Sequence, residues 1–152
     1  MQVRQITPEQ LPKVKTRIIR FLNLHGDKRI TKQGIRWLQR LPVESLNNEG
    51  TCILVALEEK RLTGVMAVSD FGREESFIAV HKEFRQKRTG VTLIEELMKR
   101  MDKAYGRVAL DNIPSLKMCF AMGMIGFKVI TGPTGKPTLW LGLGNWKKED
   151  VE

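Results

Sequence analysis

The stretch Glu74–Leu97, EESFIAVHKEFRQKRTGVTLIEEL, decides how the rest of the chain is read. Phe77, Ile78, Ala79 and Val80 form a short apolar run, so Ser76–Val80 is expected to be a strand. Val91, Ile94, Leu97, Met98 and Met101 recur at helical spacing, so a helix is expected next. Between them lies Arg85-Gln86-Lys87-Arg88-Thr89-Gly90, a basic turn with one glycine. The first N–H groups of a helix lack intrahelical partners, and the helix dipole adds partial positive charge there. Lys82, Arg85, Lys87, Arg88 and His81 gather around that end. The pattern points to a site for a phosphate or pyrophosphate, with a solvated basic loop as the plain alternative.

The chain of 152 residues is long enough for one real core. Its hydrophobic share of 41% and charged share of 28% are those of a globular protein. No apolar run approaches the ~20 residues of a membrane span, so no membrane partner is expected. The opening MQVRQITPEQ lacks the apolar stretch of a signal peptide. Cys52 and Cys119 lie in apolar surroundings, which fits a reduced, cytoplasmic protein. With His25 and His81 as the only histidines, no histidine-rich metal site is expected. The net charge of +9 is uneven: Pro8 to Arg40 holds nine Lys and Arg against Glu9 and Asp27. Such a surface suits an anionic cofactor, an acidic substrate or nucleic acid. Nucleic acid is disfavoured, because no aromatics interleave with the cations.

Upstream, Val3–Ile6 reads as a strand, and Thr7-Pro8-Glu9-Gln10 as a capping box opening a helix. Leu11, Val14, Ile18 and Leu22 form its buried stripe. A second helix is expected from about Thr31 to Leu41. Cys52–Leu57, Leu62–Val68 and Ser76–Val80, joined by short turns, predict an antiparallel meander. Downstream, Tyr105-Gly106 is read as the stop of the long helix and Arg107–Leu110 as a strand parallel to Ser76–Val80. A helix over Pro114–Met122 and strands at Gly126–Ile130 and Thr138–Leu143 complete the order. Residues 1–145 are expected to form a single domain, and 146–152 a frayed tail.

The turn resembles motif A of the GNAT superfamily, the GCN5-related N-acetyltransferases, whose pattern is Arg/Gln-x-x-Gly-x-Gly/Ala. Arg85 and Gly90 match, and Arg88 stands at the first glycine. Asn112-Ile113-Pro114-Ser115 resembles the start of the family's motif B, and Gly123-Met124 lies where its Gly-Phe usually falls. The element order is also similar from end to end. The resemblance implies an α+β fold: a mixed, mostly antiparallel sheet, splayed beside the central strand, with four flanking helices. It also implies acetyl transfer from acetyl-CoA, with no metal, to an amine of a small molecule or peptide. Arg85, Gln86, Lys87, Arg88, Thr89, Gly90, Val91 and Thr92 would then hold the pyrophosphate. The backbone of Ile78, Ala79 and Val80 would pair with pantetheine, and Asn112 would contact the same arm or cap its helix.

The family's frequent tyrosine acid, seven residues after the asparagine, is replaced here by Cys119, which is either a proton donor or a buried structural thiol. Counting back eleven residues from Arg85, as in relatives with a glutamate base, selects Glu74. Glu75 should then face the opposite side unless a bulge exchanges the two. Solvated turn acids are the competing reading. The basic first helices favour an acceptor with a carboxylate or phosphate over a polycation. Two further classes stay open: a GNAT-like domain that binds acyl-CoA without turnover, and a basic nucleic-acid-binding domain. A homodimer is left open.

Overall fold

In the computed structural model, which describes residues 1–152, the elements follow in the expected order. They are β1 (Gln2–Gln5), α1 (Leu11–His25), α2 (Lys32–Arg40), β2 (Cys52–Glu58), β3 (Arg61–Ser69), β4 (Glu75–Val80), α3 (Thr89–Met98), β5 (Lys103–Ala109), α4 (Ile113–Ala121), β6 (Ile125–Thr131) and β7 (Pro137–Gly144). The strands form two antiparallel sheets, ordered β1-β2-β3-β4 and β5-β7-β6. β4 and β5 lie beside each other without sharing a ladder. The strand expected to run parallel to β4 is therefore its splayed neighbour, and each sheet taken alone is antiparallel.

β2 is covered on both faces, which explains its unbroken apolar run. Ile53 and Val55 pack with Leu11, Ile18, Phe21, Leu22 and Leu38 under α1 and α2. Cys52, Leu54 and Ala56 pack with Leu93 and Leu97 under α3. Alternation carries these two faces into β4. Phe77 and Ala79 join the α1–α2 side, and Ile78 joins the α3 side. The capping box forms as predicted: the Thr7 N–H donates to Gln10 Oε1 at 3.0 Å, and the Gln10 N–H donates to Thr7 Oγ1 at 3.2 Å. It closes the turn that feeds α1. Thr31 caps α2 by accepting from the Gly34 N–H at 3.0 Å.

Two expectations fail. Tyr105-Gly106 does not stop a helix. α3 ends at Met98, and Lys99 and Arg100 donate backbone N–H groups to its last carbonyls. Tyr105 is instead a buried residue in the middle of β5. The closing residues do not fray either. Trp146 stacks on Phe127, and a 3₁₀ turn at Lys148–Val151 docks on β5. There the Tyr105 hydroxyl donates to Asp150 and accepts from the Lys147 N–H at 2.8 Å. The aromatic residues Tyr105, Phe127 and Trp146 supply the apolar contact that the charged tail sequence hides. No helix is long and apolar enough to cross a membrane.

Candidate active site

The split between β4 and β5 organises the site. On the α3 side, the N–H groups of Arg85 through Val91 meet no carbonyl or side-chain acceptor of the chain. Gln86 and Arg88 take the left-handed region, with φ of 65° and 62°. Arg88 thus adopts the backbone shape for which the motif prefers glycine, at a cost a side chain ordinarily avoids. Successive free N–H groups at a helix start form an anion cradle, so the segment fits a pyrophosphate. Thr89 and Gly90 are buried beneath it. A Cβ on Gly90 would come within 2.7 Å of Met118 Sδ, so the missing side chain lets α4 close against the turn.

The side chains play a different part. Arg85 is already engaged: it pairs with Asp27 at 2.5 Å and donates to the His25 carbonyl at 2.9 Å and the Val80 carbonyl at 3.2 Å. It fastens the loop after α1 to the end of β4 rather than offering its charge to a ligand. Lys87 lies over the Phe84 ring, and Arg88 is widely exposed near Glu95. Thr92 donates its N–H to the Arg88 carbonyl as the first closed turn of α3.

β4 bonds to β3 alone. His81 donates to the Thr63 carbonyl of β3 at 2.8 Å. In an antiparallel ladder alternate residues point the same way, so Ala79 and Phe77 also turn their backbone groups toward β3. Ile78 and Val80 turn theirs toward the split. Ile78 therefore presents free backbone and Val80 a free N–H, its carbonyl being held by Arg85, while Ala79 presents neither.

Across the split, on the α1–α2 side, Glu75 alternates with Phe77 and Ala79 and shares their face. It is the only charged residue in the buried set, at 8% exposure. Burial raises its carboxyl pKa above the ordinary glutamate value, and the positive charge of Arg107 partly opposes this. Gly34 of α2 lies beside it: a Cβ there would lie 3.5 Å from Glu75 Oε1. Glu74 does not face this side. It is exposed and accepts from the Ser69 hydroxyl at 2.5 Å, closing the turn between β3 and β4. The face given to Glu74 by residue counting thus belongs to Glu75.

β5 and β7 supply the opposite wall. Val108, Leu139 and Leu141 pack with Cys119 on the α4 side, so Arg107 and Trp140 face the other way. The Arg107 guanidinium lies 5.0 Å over the Trp140 ring. Sequence reasoning passed over both residues. The available signal was a lone arginine alternating with apolar neighbours in a short strand. Above this wall, Asp111 accepts from Arg29 at 2.7 Å and from Lys136 at 2.9 Å, joining the loop after α1 to the loop after β6.

Asn112 makes no side-chain cap; its carbonyl accepts from Leu116 in the first turn of α4. Cys119 is buried with Met124 and Leu141, and burial pushes its thiol up to about 11. A thiol so placed stays protonated and is packed as a small apolar group.

The family model of the acetyltransferase (GNAT) family matches residues 19–127, more than half of the chain. No curated protein matches it. Among solved structures, an acetyltransferase of the GNAT family from Streptococcus pneumoniae is 12% identical, with a TM-score of 0.69 over 94% of this chain and 98% of that one. A spermidine N-acetyltransferase mutant from Vibrio cholerae is 15% identical, with a TM-score of 0.66 over 95% of each. A Salmonella typhimurium protein solved with acetyl-CoA is 16% identical, with a TM-score of 0.65 over 97% and 95%. These likenesses establish the fold, and the family match over residues 19–127 makes the chain a member of the GNAT acetyltransferases, which use acetyl-CoA.

Proposed function

We propose that the chain acetylates a small amine that enters on the α1–α2 side of the split, and that Glu75 takes the amine proton. One observation carries this reading: the single buried charge of the protein is a carboxylate on the strand that borders the split. Its raised pKa brings a glutamate closer to the range of an efficient general base.

The amine must be neutral to attack. Glu75 accepts its proton, directly or through a water, and passes it on to solvent. The nitrogen then attacks the thioester carbonyl; the N–C bond forms and the C–S bond breaks. The departing thiolate takes a proton from water. Outward-facing N–H groups of β4, at Ile78 and Val80, are placed to polarise the carbonyl. The cradle of Arg85–Val91 fixes the other end of the cofactor, which turns the encounter into a proximity effect. Cys119 takes no part, because its sulfur lies among Met124 and Leu141.

Thermal unfolding with acetyl-CoA, followed by release of free CoA thiol across an amine panel, tests the reading. Stabilisation by acetyl-CoA with amine-dependent thiol release is the expected result. Stabilisation without release from any amine would leave a cofactor-binding domain that does not turn over.

A further inference from the structure

Arg73 and Arg107 are the only arginines of the chain that are not exposed. Arg73 pairs with Asp70 at 2.6 Å and lies near Asp150. The Arg107 side chain makes no hydrogen bond and no ion pair, and its guanidinium lies over the Trp140 ring. A guanidinium carries five donors, and those of Arg107 meet no acceptor of the chain and stay open to solvent and ligand. The indole of Trp140 lies under the guanidinium and takes up none of its N–H groups. That arrangement suits bidentate binding of a carboxylate.

The placement makes this specific. Arg107 faces the same side of the split as Glu75, close enough for its charge to act on that carboxyl. The amine-accepting carboxylate and the free guanidinium therefore stand on opposite walls of one cleft. Gly34, with no side chain, borders Glu75 on the α2 side. Arg29 and Lys136 stand at the rim with Asp111 between them, which leaves one net positive charge there.

We infer that the acceptor is an amine that also bears a carboxylate, and that Arg107 binds this carboxylate while Glu75 faces the amine. The inference rests on the acetyl-transfer reading for its site but not for its test. A polycation would bring a second positive charge toward Arg107 and is disfavoured on this account. The carboxylate belongs either to a free amino acid or to an acidic residue near a peptide N-terminus.

The experiment compares amino acids with their own carboxamides as acceptors, and peptides with an acidic or a neutral second residue. An amide raises the neutral fraction of the neighbouring amine, so chemistry alone would favour the amide. The expected result is a kcat/KM at least about tenfold higher for the acid in one of the two series, the scale of one charge-assisted contact. Arg107→Gln should bring that ratio close to one, and Arg107→Lys should restore part of it. A second measurement needs no turnover: binding of the same pairs to the CoA-loaded protein. If no amine is acetylated but acids bind more tightly than amides in an Arg107-dependent manner, the acetyl-transfer reading fails and this one stands. If amines are acetylated with no preference for acids, or if Arg107→Gln leaves the ratio unchanged, the assignment of Arg107 is overturned. Failure of acids to bind better than amides, with no turnover, overturns it as well.

Discussion

The two sides of the β4–β5 split are built by different means. On the α3 side the proposed binding groups are backbone: free N–H groups from Arg85 to Val91, shaped by left-handed residues at Gln86 and Arg88. The side chains of Gln86, Lys87 and Arg88 are exposed, that of Thr89 is buried, and Arg85 is occupied with holding a neighbouring loop. On the α1–α2 side the proposed groups are side chains, Glu75 and Arg107, carried by strands of different sheets. A backbone site tolerates changes of side chain; a side-chain site does not.

The largest test of this contrast is at Glu75. Glu75→Gln should lower kcat by roughly 10²-fold or more, the usual scale of general-base catalysis, with acetyl-CoA affinity little changed. Glu74→Gln, which loses only the contact with Ser69, should stay near wild type. Reversal of the two would return the base to the strand start and undo the face assignment.

On the backbone side, Arg85→Ala should act through the loop it fastens. A rise of about fivefold in KM for acetyl-CoA with kcat unchanged is expected, the scale of an exposed contact near 1 kcal/mol. A loss of kcat instead would mean that the side chain reaches the reacting atoms.

The pH dependence of stability separates the sides as well. The Glu75 carboxyl holds its proton more tightly in the folded chain than in the unfolded one. Below the ordinary glutamate pKa both states are protonated and nothing is lost. As pH rises through the raised folded value the protein must bury a charge, and stability falls. Glu75→Gln should therefore raise Tm at pH 8 and make little difference at pH 4. Equal Tm shifts at both values would remove burial as the cause.

Smaller effects are expected from Cys119→Ala, which should cost about 1 kcal/mol in packing and leave kcat within roughly twofold. The smallest is Gly34→Ala. The new Cβ makes only ordinary contacts, and a helix gains up to ~1 kcal/mol from the exchange. A higher Tm with a higher acceptor KM is expected, because the methyl occupies space beside Glu75.

The same contrast explains what was legible in the sequence. The cradle is contiguous, so strand, basic turn and helix stood together in one stretch, and the element order followed from periodicity. The proposed acceptor side draws on Gly34, Glu75, Arg107 and Trp140, far apart in the chain, and no spacing rule links them. Glu74 and Glu75 differ only in which face alternation assigns them, and that is fixed by Phe77 and Ala79 packing under α1 and α2. The reading of Tyr105-Gly106 as a helix stop failed because a glycine between Tyr105 and Arg107 looks like punctuation in one dimension. In three dimensions it is a strand residue opposite Leu141.

Asp111 joins Arg29 to Lys136, and with them the loop after α1 to the loop after β6. Those two cations hold its carboxyl down to about 2, so acid in the ordinary range does not open the bridge. All three side chains face solvent, however, and ions in solution compete with exposed charge pairs. This bridge therefore answers to ionic strength rather than to protons: at ~1 M salt, where the Debye length is about 3 Å, the hold of one loop on the other weakens.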